Sequence, residues 1–271
     1  MNAVGPRRVP GAAAELAVFL QGDPAGPAVV MAHSVLSSSM MWEAQAALLA
    51  ARGFFVVRAD TRGHGASAAA PGPCTLDDLA ADTVAVLDAL HIAQAHYVGL
   101  SLGGMSGFGL GLHHADRLLS LVLCDCRADA PSAFAAPWDD RVAAAQLHGS
   151  CAPLAQSTIE RWFGLPFLER HPAVADRFRA TAAATSVEGF VACARAIQQL
   201  DYAAGVPRIA VPTTLVVGAN DGPLPAALRE IGARLPGAVL EVIADAGHLP
   251  NVDQPEDFNA ALLRHFDRLA N

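Results

Sequence analysis

The chain has no lysine: all 18 basic residues are arginine, which we read as coding composition and not as mechanism. It is also poor in charge. Only 16% of residues are charged, the net charge is -8, and no basic block occurs. Nucleic acid and anionic membrane surfaces therefore find no complementary partner in it. No apolar stretch reaches the roughly 18 uninterrupted residues of a membrane-spanning helix. Residues 1–10 carry Arg7 and Arg8 with no apolar segment behind them, so no signal peptide is predicted. The five cysteines are odd in number and scattered (Cys74, Cys124, Cys126, Cys151, Cys193), which speaks against a disulfide framework and for a reducing, cytoplasmic setting. Cys124-Asp125-Cys126 lacks the spacing of a metal site, and its place at a strand end suggests ordinary packing. There is no internal repeat and no long low-complexity tract.

What remains is 271 residues at 53% hydrophobic content, enough to bury the core of one large domain, with or without an insertion. Short apolar runs at 16–21, 28–32, 54–59, 96–99, 118–124, 213–217 and 239–243 read as strands. Helix-like segments at 40–51, 75–90, 105–114 and 256–269 alternate with them. This rhythm predicts an α/β fold with a mainly parallel central sheet flanked by helices. Thr75, followed by Asp77 and Asp78, reads as a helix N-cap with acids at the positive helix end. From 127 to 206 the pattern is helical and no strand is evident. Residues 1–126 and 207–271 are thus expected to form a core domain, and residues 127–206 a helical cap.

The run Tyr97-Val98-Gly99-Leu100-Ser101-Leu102-Gly103-Gly104 contains G-x-S-x-G between a strand-like and a helix-like stretch. This is the context of a nucleophile elbow, which lifts a serine out above the sheet on a tight strand-to-helix turn. Side chains at Gly99 and Gly103 would collide with the neighbouring helix or strand. A serine alcohol needs a base, and the base needs an acid to orient it. Asp221, in Gly218-Ala219-Asn220-Asp221-Gly222-Pro223, and His248, in Asp245-Ala246-Gly247-His248-Leu249-Pro250, follow Ser101 in the required order. Each lies just past a strand, where open α/β sheets place their sites. Asp125 also ends a strand and competes for the acid's role.

A tetrahedral intermediate needs donors for its oxyanion. Leu102 N–H is one candidate, and Val35 N–H, in the loop His33-Ser34-Val35-Leu36, is the other. His33 itself reads as a brace for that loop. His113 and His114 sit at a helix end that favours a cation. His91, His96, His148, His171 and His265 are assigned structural or surface roles.

With these residues in view, the chain resembles the α/β-hydrolase superfamily. The likeness rests on the elbow, on Asp60-Thr61-Arg62-Gly63-His64-Gly65-Ala66-Ser67 and on Gly247-His248-Leu249. Within it the chain is similar to the 3-oxoadipate enol-lactonases, lactone hydrolases of aromatic catabolism. That similarity extends to Thr158-Ile159-Glu160-Arg161-Trp162-Phe163, to Glu188-Gly189-Phe190-Val191-Ala192-Cys193 and to the segment from His248 to Glu256. It implies Ser101 as nucleophile, His248 as base and Asp221 as acid, with no metal and no organic cofactor. It also implies a small ester or lactone substrate in a pocket walled by the cap. Ser34, Leu36, Trp138, Arg141, Arg161 and Trp162 are candidate pocket residues, and Arg127, Arg141, Arg161 and Arg195 are candidate partners for a substrate carboxylate. Two departures stand out: Leu36 replaces the family's usual glycine, and Asp125 replaces its usual asparagine. They keep open a general short-chain carboxylesterase, a perhydrolase or an acyl-homoserine lactonase on the same triad.

Overall fold

A computed structural model describes residues 5–270; the outermost bounds of the expected core domain, residues 1–4 and 271, lie outside the described residues. Eight strands form one sheet: β1 (Arg7–Pro10), β2 (Glu15–Gln21), β3 (Ala28–Ala32), β4 (Phe55–Ala59), β5 (Ala95–Leu100), β6 (Leu118–Cys124), β7 (Thr213–Gly218) and β8 (Val239–Ile243). Their order is β1-β2-β4-β3-β5-β6-β7-β8. β1–β2 and β2–β4 pair antiparallel, and every other pair is parallel. The central strands β6 and β7 are buried almost throughout, as continuous apolar runs covered on both faces must be. β1 is absent from the sequence expectations. Only Val9 of its four residues is buried, and a strand at a sheet edge with one inward side chain carries no apolar run to read.

Six helices flank the sheet: α1 (Glu43–Ala51), α2 (Leu76–Ala89), α3 (Leu102–His113), α10 (Leu224–Arg234), α11 (Pro250–Asp253) and α12 (Pro255–Leu269). Thr75 closes a capping box on α2: Asp78 N–H donates to its hydroxyl, and the Asp78 carboxylate accepts from Thr75 N–H. α3 starts at Leu102, three residues before the apolar run that marks it in the sequence.

Between β6 and β7 lie only helices: α4 (Ser132–Ala135), α5 (Pro137–His148), α6 (Ala152–Phe163), α7 (Leu165–Arg170), α8 (Pro172–Ala184) and α9 (Val187–Gln198). A bridge between Asp129 and Asp201 and a bond from Tyr202 N–H to Ala128 carbonyl close the neck of this excursion. Its far side is tied to the core where Ser186 N–H donates to the Gly63 carbonyl. There Gly63 and Gly189 touch: a Cβ on Gly63 would sit 2.4 Å from the Gly189 Cα. Asp60 fixes the Gly63 loop, accepting from Ser39 N–H and Ala66 N–H.

Candidate active site

Ser101 stands between β5 and α3 with φ 55° and ψ -110°, a strained backbone for a residue that is not glycine. Two glycines permit the turn. A Cβ on Gly99 would lie 2.3 Å from the Gly103 carbonyl oxygen, and one on Gly103 would lie 2.5 Å from the Ala32 carbonyl oxygen of β3. Strand and helix therefore meet at a distance that admits no side chain.

His248 lies in the loop after β8, and Asp221 in the loop after β7. The His248 Nδ1 is 2.6 Å from Asp221 Oδ2. Two neighbours fix the histidine loop: Trp162 carbonyl accepts the His248 N–H, and Asp253 Oδ2 accepts the Gly247 N–H. His248 Nε2 is buried and has no hydrogen-bond partner among the described residues. Ser101 is 5% exposed, Asp221 8% and His248 2%, so all three are buried. Burial pushes the Asp221 carboxyl up, but the facing His248, its hydrogen bond and Arg161 outweigh this and hold it below the ordinary carboxylate range. Of the two candidate acids, Asp221 and not Asp125 is the one bonded to His248.

The loop after β3 packs on the elbow, where Gly103 N–H donates to the His33 carbonyl at 3.2 Å. His33 braces it as expected: its ring bonds to the Ser34 carbonyl at 2.7 Å and accepts from Thr61 N–H at 2.9 Å. Val35 and Leu102 N–H donate to no protein acceptor among the described residues. Ser34 and Leu36 are fully buried. Leu36 has φ 60°, the left-handed backbone that glycine adopts freely and leucine adopts at a cost of about 1–2 kcal/mol. Leu36, Ser101, Asp125 and Asp245 all have positive φ and all follow the carboxyl ends of parallel strands. Four of the five non-glycine residues with positive φ among the described residues thus gather at one edge of the sheet; the fifth, His91, precedes β5.

The four candidate arginines fall into two kinds. Arg127 is paired with Asp129 at 2.8 Å and lies over the Phe134 ring. Arg195 is paired with Asp139 and Gln198 on the surface. Arg141 and Arg161, by contrast, have no acidic partner in contact among the described residues. Arg141 donates to the Thr158 hydroxyl at 2.7 Å, lies over the Trp138 ring, and keeps a buried Nε without a partner. Burial and the charge of Arg161 lower its pKa to about 10. Arg161 is exposed to solvent, and the Asp221 carboxylate favours its charge. Trp162 is fully buried, edge-on to Phe163 and Phe178, and packs as cap core. Its contribution to the site, the carbonyl that holds His248 N–H, is invisible in a side-chain reading, as is the role of Asp253.

Among the described residues, only Asp125, Asp221 and His248 cluster as potential metal ligands, with atoms within 4.8 Å of one another. The His248–Asp221 approach of 2.6 Å is a hydrogen bond and leaves no room for an ion between those two atoms. A surface cleft of about 950 Å³ between residues 70–73 and the cap contains none of the three and neither Arg141 nor Arg161.

Residues 27–255 match the family model of the alpha/beta hydrolase fold. The chain is 33% identical to 3-oxoadipate enol-lactonase 2 of Acinetobacter baylyi over 91% of its own length and 90% of that protein. A hydrolase from Pseudomonas aeruginosa superposes with a TM-score of 0.92 at 37% identity, covering 98% of this chain and 99% of that one. The enol-lactonase from Burkholderia xenovorans does so with a TM-score of 0.91 at 31% identity, covering 96% and 100%. The chain is an enzyme of the hydrolase class, and it belongs to the alpha/beta hydrolase family.

Proposed function

We propose that the protein hydrolyses small carboxylic esters or lactones through a Ser101–His248–Asp221 triad, with 3-oxoadipate enol-lactone as the best-fitting substrate. Ser101 Oγ attacks the carbonyl while His248 Nε2 takes its proton, and Asp221 holds the imidazole through Nδ1. Val35 and Leu102 N–H stabilise the oxyanion. As the intermediate collapses, His248 returns the proton to the leaving oxygen, which in a lactone stays tethered to the acyl group. A water deprotonated by His248 then cleaves the acyl-enzyme, and the proton returns to Ser101. The observation that carries this reading is a buried histidine with one nitrogen fixed at 2.6 Å by a carboxylate and the other unpartnered, in a loop beside the elbow edge.

The substrate assignment draws on Arg141 and Arg161. Two cations in the cap without acidic partners form a receptor for a carboxylate arm, which neutral esters lack. Five buried, free cysteines suit a cytoplasmic location. A second reading, a general short-chain ester hydrolase, is favoured by the buried Leu36 in the loop that borders the elbow.

The test is turnover of 3-oxoadipate enol-lactone and p-nitrophenyl acetate by the purified protein and by Ser101→Ala. Fast lactone opening that vanishes in Ser101→Ala is the expected result. Ester cleavage with negligible lactone opening would keep the triad and replace the substrate. Activity unchanged in Ser101→Ala would overturn the mechanism.

A further inference from the structure

Asp125 is not used in this mechanism, yet it sits directly beside it. It follows β6 with φ 44° and is fully buried. Its N–H donates to the Val216 carbonyl, and its Oδ1 accepts from Gly218 N–H at 2.8 Å, so it clamps the ends of β6 and β7. Its Oδ2 is buried and faces no donor. Ligand atoms of Asp125, Asp221 and His248 all fall within 4.8 Å of one another.

Two carboxylates this close in a buried site do not both ionise; the pair holds one proton. The surroundings decide where it resides. Asp221 faces His248 and Arg161, which favour its negative charge. Asp125 faces Asp221 and the thiols of Cys124 and Cys126, and only the Gly218 N–H favours its charge. Burial first, and the Asp221 charge second, push the Asp125 carboxyl well above the ordinary range. With Oδ1 occupied as an acceptor, the proton falls on Oδ2, the oxygen that otherwise has no partner.

We propose that Asp125 is a positioning residue: a neutral carboxylic acid whose Oδ2–H donates to the Asp221 carboxylate and holds it in the orientation that meets His248 Nδ1. The inference rests on the reading of Asp221 as the acid that orients His248. It makes the acid arm of the site a carboxylic acid–carboxylate pair carrying a single negative charge. Loss of the shared proton at alkaline pH sets two negative charges against each other and undoes the alignment.

The experiment compares the full-length protein with Asp125→Asn, whose amide can donate where the hydroxyl donates and accept from Gly218 N–H. An acid that keeps its proton when folded and loses it when unfolded, near its ordinary value of about 3.9, makes stability fall as pH rises between the two values. The ratio of the folding constants, variant over wild type, is therefore expected to rise about tenfold per pH unit from about pH 5 towards neutrality. A flat ratio would overturn the proposal. Infrared spectra at neutral pH should show a protonated-carboxyl carbonyl band in wild type that is missing in the variant; its absence from wild type would equally overturn it. For the positioning role, kcat/KM for p-nitrophenyl acetate should fall at alkaline pH in wild type with a limb that Asp125→Asn removes, and Asp125→Leu should lose rate that Asp125→Asn restores. Identical alkaline limbs in wild type and Asp125→Asn would reduce Asp125 to a structural clamp. Failure of both proteins to cleave any ester would count against the proposed function, while stability and infrared spectra still decide the protonation of Asp125.

Discussion

Two histidines lie at opposite ends of the same sheet, and both are 2% exposed. His248, at the carboxyl edge, has one nitrogen bonded to Asp221 and the other unpartnered. His265, towards the amino edge, has both nitrogens engaged, by the Thr214 and Ser120 hydroxyls at 2.7 Å each. Ser120 in turn bonds to His96, and Arg268 donates to Thr214, completing a closed network. Burial and nearby positive groups push His265 down to about 3, so it stays neutral. Equal burial thus accompanies opposite chemical availability. What distinguishes the two rings is an unfilled nitrogen, because a fully bonded ring has no lone pair or proton left to exchange. The carboxyl edge also carries four of the five non-glycine residues with positive φ among the described residues, whereas Thr214, Ser120 and His96 lie within strands, the last two beside a register shift between β5 and β6.

Swapping the substitutions gives the sharpest contrast. His248→Ala should lower kcat by on the order of 10⁴-fold or more with a modest change in melting temperature, as steady-state kinetics and calorimetry would show. His265→Ala should do the reverse. It removes a buried ring and leaves two hydroxyls short of partners, a loss of about 2–4 kcal/mol in denaturant unfolding, with kcat per folded molecule kept. Equal kinetic losses in the two variants would break the comparison.

Between these extremes lies the cap. Arg161→Gln should raise KM for the anionic enol-lactone by about 10–100-fold and leave p-nitrophenyl acetate nearly unaffected. Equal losses on both substrates would mean that the arginine supports the site and does not read the substrate's charge.

The smallest effect concerns acid. His64, His96 and His265 have pKa values lowered to about 3, 4 and 3, chiefly by burial. Each is neutral when folded and takes up a proton near its ordinary value of about 6.5 when unfolded. Stability is therefore fully present above that value and declines as pH falls below it. Melting temperature should drop steadily from about pH 6.5 downward, and His265→Leu should flatten that slope. An unchanged slope would place the acid sensitivity elsewhere.

Much of the site is legible in the sequence because its constraints are local. Gly99 and Gly103 around Ser101 announce a turn that no other side chain fits, and Asp221 and His248 each follow a short strand-like run, buried throughout in β7 and half-buried in the edge strand β8. The alternation of strands and helices, its interruption between 127 and 206 and the Thr75 cap are local in the same sense. β1 escaped because an edge strand with one buried residue leaves no pattern. Long-range approach is what the sequence does not carry. Arg141 and Arg161 separate from Arg127 and Arg195 only when it is seen which acids lie within reach, and a sequence of arginines cannot show a missing partner. Trp162 matters through a carbonyl, which every residue has. Asp125 reads as a rival to Asp221 until the fold sets the two side by side. Local steric and hydrogen-bonding rules thus determined the elements and the order of the candidate site residues. Only tertiary packing, which brings charges distant in sequence within a few ångströms inside a medium that screens them poorly, decided which nitrogen stays free, which arginines stay unpaired and which carboxyl keeps its proton.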